Sequence, residues 1–192
     1  VLFFVKNVTV LFLKRTLQNK ALFKMNLKYY YQQSQYYRAQ LMPALVAQFS
    51  PLYAKLFKRN EKIWAENRQS LLAREKDSLG FALGLFLQTN DLHLMPRLET
   101  HDVYHVITAY PIDVQSEAEL LFFILGNGKR TLFTLGATCL ALILMPEWWG
   151  IYWQSFLKGR KANSFVNENL VEWLDKPLAE IRAYIFENNT MT

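Results

Sequence analysis

His101-Asp102-Val103-Tyr104-His105-Val106-Ile107-Thr108-Ala109-Tyr110-Pro111, with Glu117 following His105 after eleven intervening residues, is the stretch from which the fold is read. In a helix, positions i, i+1 and i+4 lie on an arc of about 100°. His101, Asp102 and His105 can therefore aim at one point. Glu117 is too far along to share that turn, so it comes from a second element, and Pro111 supplies the break between the two. Two imidazoles and two carboxylates form a constellation suited to a divalent metal. Glu119 competes with Glu117, because both are followed by apolar residues at i+3 and i+4. His93 is either an outer partner or a surface histidine beside a turn.

Working outward, strand signals are nearly absent and helical periods dominate. Residues 29–46 read as a polar-aromatic segment that Pro43 interrupts. Residues 52–74 read as a helix after Pro51, with Leu52, Leu56, Ile63 and Trp64 near one stripe. Asp77 or Ser78 caps an apolar segment, 79–88. The helix of the metal motif runs over 99–109. Another begins at Ser116-Glu117-Ala118-Glu119, where Ser116 and Glu119 stand in capping-box relation. It ends at Gly126-Asn127-Gly128-Lys129-Arg130. That turn is not a phosphate loop, since Phe123 stands where the first glycine should be and Arg130 where Ser or Thr should be. Residues 131–146 are uncharged but too short to span a bilayer. They read as a buried central helix or one wall of a lipid-tail channel. Trp153, Phe156 and Leu157 carry a further helix to Gly159, and short helices at 169–174 and Leu178–Phe186 close the chain. The fold class is all-α, a single compact helical domain with a metal site between two helices.

Among 192 residues, 52% are hydrophobic and 15% aromatic, which excludes a disordered chain. The lone Cys139 is read as a buried thiol, and no internal disulfide can form, which fits a reducing compartment. Residues 1–60 hold ten Lys or Arg and no acid, whereas 61–192 hold twelve basic and sixteen acidic residues. The basic third is suited to an anionic membrane surface, or is the solvated face of helices. No nucleic-acid motif accompanies it, so no nucleic-acid partner is expected. Residues 1–26 are set apart as a basic, apolar extension to a helical domain at 27–192. Three readings fit that extension: a native segment, a targeting segment, or sequence upstream of an initiator at Met25.

His-Asp-x-x-His, eleven residues, then Glu resembles the signature of the coenzyme Q (ubiquinone) biosynthesis protein four family. The likeness extends to Ser78-Leu79-Gly80-Phe81-Ala82, to His105-Val106-Ile107-Thr108, to Gly159-Arg160-Lys161-Ala162, and to Leu174-Asp175-Lys176-Pro177-Leu178 through Arg182. It covers roughly residues 30–186. Ala109 and Ser116 depart from it, standing where many members carry glycine. The resemblance implies metal ligands His101, Asp102, His105 and Glu117, and so selects Glu117 over Glu119. The metal it implies is zinc, with iron or manganese as alternatives. It further implies an oxidative C1 decarboxylation, ring carboxyl to hydroxyl, on a prenylated ring precursor, with Asp102 and His105 as the catalytic residues. The implied place is peripheral on a membrane, on the cytoplasmic face in a bacterium or the matrix side of the inner mitochondrial membrane in a eukaryote. Partners would be other quinone-biosynthesis proteins and a second copy of the chain. A non-catalytic scaffold that presents lipid substrates is the alternative. A His-Asp phosphohydrolase fits poorly, because only the closely spaced His93 and Asp113 are available to complete it.

Overall fold

The computed structural model describes the backbone of residues 2–187 and the side chains of 24–187. Among the described residues there are eight α-helices, two short 3-10 helices and no strand, so the all-α expectation holds. The chain divides into two compact units, 1–41 and 42–192. In the first, α1 (Leu2–Phe57) begins, and none of its described side chains from Lys24 to Leu41 is buried. Tyr30 and Tyr37 are about two-thirds exposed.

α1 runs through Pro43 and Pro51, contrary to the interruption expected there. Each proline removes one helical N–H and crowds the carbonyl four residues back. Both lie on the exposed side of the helix. Met42, Ser50 and Ala54 form a buried stripe at helical spacing on the other side. Leu52, Leu56 and Ile63, expected to form the packed stripe, are exposed. Residues 52–74 are therefore not one helix. α1 stops at Phe57, and α2 (Arg68–Leu72) restarts after a capping box of Asn67 and Ser70.

α3 (Leu79–Thr89) is capped by Ser78, whose oxygen accepts from the Phe81 N–H. It buries Leu79, Leu83 and Leu87 at i, i+4, i+8. α4 (Glu99–Thr108) and α5 (Val114–Gly126) carry the metal motif. The cap of α5 is Asp113, which accepts from the N–H groups of Gln115 and Ser116, and not Ser116 itself. Leu120, Leu121, Phe122, Phe123 and Ile124 are all buried, so α5 is covered on every side. α7 (Trp149–Lys161) packs along it so closely that two glycines are required. A Cβ on Gly126 would stand 2.1 Å from the Phe156 carbonyl oxygen, and one on Gly159 would stand 2.0 Å from that of Phe123.

The central helix is thus α5, and α6 (Leu132–Leu144) is not buried as expected. α6 turns Thr134, Ala137, Thr138 and Ala141 inward, while Leu132 and Ile143 are exposed by 67% and 73%. Small residues on the inner face allow close packing and leave the large aliphatic ones outside. Cys139 lies on that outer side and is exposed, not buried. Among the described residues no single helix is long and apolar enough to cross a membrane; α6 and the segment after it pass that test only as a pair bent by 104°. α8 (Leu178–Phe186) closes the chain, and Arg182 donates to the carbonyls of Ile107 and Val106 at the end of α4.

Candidate metal centre

α4 presents His101 and His105 one turn apart, and their rings meet edge to face. Their Nε2 atoms are 3.3 Å apart. Glu117, in the first turn of α5, straddles both rings: Oε2 is 3.2 Å from His101 Nε2 and Oε1 is 3.2 Å from His105 Nε2. With one ligand atom per residue, all three lie within 4.8 Å of one another. Donor atoms around a tetrahedral zinc with bonds of about 2.0–2.1 Å stand roughly 3.3–3.4 Å apart. The spacing of the two imidazole nitrogens matches that edge. His101, His105 and Glu117 therefore form a group able to hold a metal ion. A set of three protein ligands leaves a fourth position for water or a ligand oxygen.

Backbone geometry prepares the histidine. His105 Nδ1 donates to the Tyr110 carbonyl at 2.9 Å, which leaves Nε2 with its lone pair toward the site. That contact exists because Ala109 caps α4 in the left-handed region, at φ 59°, and turns the chain back. This conformation costs a non-glycine residue roughly 1 kcal/mol. Ala109 adopts here the conformation that glycine would adopt more cheaply. Phe86 stacks on the His105 ring at 5.6 Å from its other side. His105 is buried, whereas the His101 and Glu117 side chains are about one-third exposed, so the site opens on their side.

The other sequence candidates fall elsewhere. Asp102 is partly buried on α4, close enough to feel the charges of His101, His105 and Glu117, but stands outside the three-residue group. Glu119 points to α7, where it accepts from Ser155, and it also accepts from Gln115 on its own helix. Glu117 is thus the carboxylate that α5 brings to the histidines. His93 is exposed and belongs to no ligand group among the described residues. Sequence reading missed the Tyr110 carbonyl, for which a backbone atom leaves no sequence signal. It also missed the buried Glu99, which accepts from the Trp64 N–H at 3.2 Å.

Burial pushes the Asp102 carboxyl up to about 6, against the pull of His101 and His105. Burial also pushes Glu117 up, but hydrogen bonds and charges from the two histidines outweigh it and hold the carboxyl at about 2. For His105, burial disfavours the charged ring, yet Glu117 more than offsets it and the ring is raised above 6.5. These directions set the pH dependence of the metal-free chain. The Glu117 contribution is present above its ordinary 4.5 and is lost as pH falls toward 2. The His105 contribution is full below 6.5 and is lost as pH rises through the raised value. Asp102 adds a cost that grows from pH 3.8 to about 6. In chelator, the thermal midpoint is expected to be higher at pH 5 than at pH 8. Zinc should close that gap, since it displaces the His105 proton. A chelated midpoint that rises from pH 5 to pH 8 would contradict this electrostatic account.

No protein-family model matches the chain, and no curated protein matches its sequence.

Proposed function

We propose that this chain is a ubiquinone (polyprenyl-quinone) biosynthesis protein that holds a divalent metal and a prenylated ring precursor. The observation that carries the reading is the His101–His105–Glu117 triangle, open on one side and adjoined by apolar surface. A bound zinc would supply Lewis acidity toward a ring carboxylate and its neighbouring phenol oxygen. Iron or manganese would suit the same mixed donor set. The residues of the chain orient and neutralise: Tyr110 fixes the His105 ring, and the Asp102 carboxyl, near 6, can give or take a proton close to neutral pH. The reaction proposed is replacement of the ring carboxyl by hydroxyl, in which the ring acid, dioxygen and water give the hydroxylated ring, CO₂ and hydrogen peroxide, with dioxygen as the two-electron oxidant.

An apolar groove supports a tail-binding role. Leu45, Val46 and Phe49 of α1 and Leu132, Phe133, Gly136, Ala137 and Leu140 of α6 line a volume of about 330 Å³. Phe133 also lines the cavity that reaches His101. Each tail CH₂ buried there contributes about 0.8 kcal/mol. The outer face of α6, with exposed Trp149 and Trp153 following it, fits peripheral contact with a membrane. That membrane would be the cytoplasmic one in a bacterium or the matrix side of the inner mitochondrial membrane. The same exposed face favours the second reading, a lipid-presenting scaffold that docks other quinone-biosynthesis proteins or a second copy.

Asp102→Asn separates the two. It keeps the size of the side chain and removes its charge and its proton. In a quinone-deficient strain, a catalytic site predicts that the carboxylated prenyl precursor accumulates and the hydroxylated product falls at least tenfold, on the order of one catalytic acid–base contribution. Normal quinone synthesis by a folded variant would leave the scaffold reading in its place.

A further inference from the structure

The turn after α5 delivers one side chain inward. Gly128 takes φ 110°, and the Lys129 N–H donates to the Ile124 carbonyl at 2.9 Å. Asn127 locks the turn from behind. Its Nδ2 donates to the carbonyls of Gly159, Ala162 and Asn163, and its Oδ1 accepts from the N–H groups of Phe165 and Val166. So held, Lys129 Nζ donates to Tyr104 Oη at 2.7 Å. The Tyr104 hydroxyl in turn donates to the Val166 carbonyl at 3.0 Å.

Lys129, Lys58, Thr100, Thr131 and His101 line one cavity of about 40 Å³. A single water needs on the order of 10–15 Å³. The space therefore suits a carboxylate-sized group and not a ring as well. Lys58 is already paired with Glu61 at 2.8 Å, whereas no carboxylate lies within ion-pair distance of Lys129 among the described residues. One of its three N–H groups is used on Tyr104. Burial, then the charge of Lys58, lowers the amine to about 8, with Glu61 opposing. A cation held away from water without a counter-ion is costly, and an entering anion relieves that cost.

We propose that Lys129 is the anion-recognition residue of this site, its ammonium receiving the acidic head group of a ligand in the cavity shared with His101. The head group is a carboxylate or a phosphate. The assignment deepens the reading of a prenylated ring acid, and rests on that reading only for which of the two anions it is. The position of Lys129 beside a metal-group histidine places a fixed positive charge where such a ligand would enter. A purely structural lysine, bracing Tyr104, would give no preference for charged over neutral ligands.

The test is calorimetric binding to the full chain of two matched pairs: a prenylated 4-hydroxybenzoate against its methyl ester, and geranyl phosphate against geraniol. A charge-assisted contact predicts that the wild type prefers at least one anion over its neutral partner by about tenfold to hundredfold. Lys129→Met, which keeps the stem, should bring that ratio close to one, and Lys129→Gln serves where the first variant does not fold. Arg130→Met, which removes the exposed neighbouring cation outside the cavity, should leave the preference in place. Preference for the phosphate alone would keep Lys129 and overturn the ring-acid reading. A preference unchanged in Lys129→Met, one abolished by Arg130→Met instead, or none in the wild type would overturn the assignment of Lys129.

Discussion

His105→Ala is expected to abolish stoichiometric binding of divalent metal by the purified chain. The ring stands at the centre of the group, with Nε2 3.3 Å from His101 Nε2 and 3.2 Å from Glu117 Oε1. It is also the buried member of the group. Loss of a residue that merely orients a ligand costs about 10–100-fold in affinity, and loss of a ligand should exceed that. Metal content after dialysis and a zinc titration by calorimetry check it. Full metal content at wild-type affinity would remove His105 from the ligand set. Glu119→Gln serves as the matched control, because that carboxylate faces Ser155 and Gln115; its metal content should stay at one per chain.

Asn127→Asp is expected to be among the most destabilising isosteric changes in the chain. Asn127 is 5% exposed, and its amide nitrogen faces three carbonyl oxygens. A carboxylate there replaces the donors with a charge that meets three acceptors. Leaving a buried charge uncompensated costs roughly 3–5 kcal/mol. For a domain of this size that lowers the thermal midpoint by roughly 6–20 °C. The loss should shrink at low pH, where the introduced carboxyl takes up a proton and regains one donor. A variant melting within about 2 °C of the wild type at neutral pH would show that the turn is not held as described. The same variant loosens the turn that carries Lys129, so it should also weaken binding of an anionic ligand.

The chain by itself determined what depends on neighbours along it. Helical spacing put His101 and His105 on one face of α4, and Pro111 ended that helix before Glu117. Ser78 as a cap and the glycine-rich end of α5 were legible for the same reason: a cap or a terminating turn is chemistry within a few residues. Which face is covered, and by what, is a long-range matter. Periodicity offered Leu52 and Leu56 as a packed stripe, but α1 packs through Met42, Ser50 and Ala54. The apolar run at 131–146 read as a central helix or as one wall of a tail channel, and the first does not hold: α5 takes the centre, where Gly126 and Gly159 let α7 approach its backbone. α6 is left with Leu132 and Ile143 outside. Glu117 and Glu119 were equivalent by pattern, and only the placement of α4 on one side of α5 and α7 on the other gave them different partners. Lys129 was one charge in a turn until that turn was pinned by Asn127 against the segment after α7. Local sequence sets the direction of each side chain around its own helix axis; tertiary packing decides what each one meets.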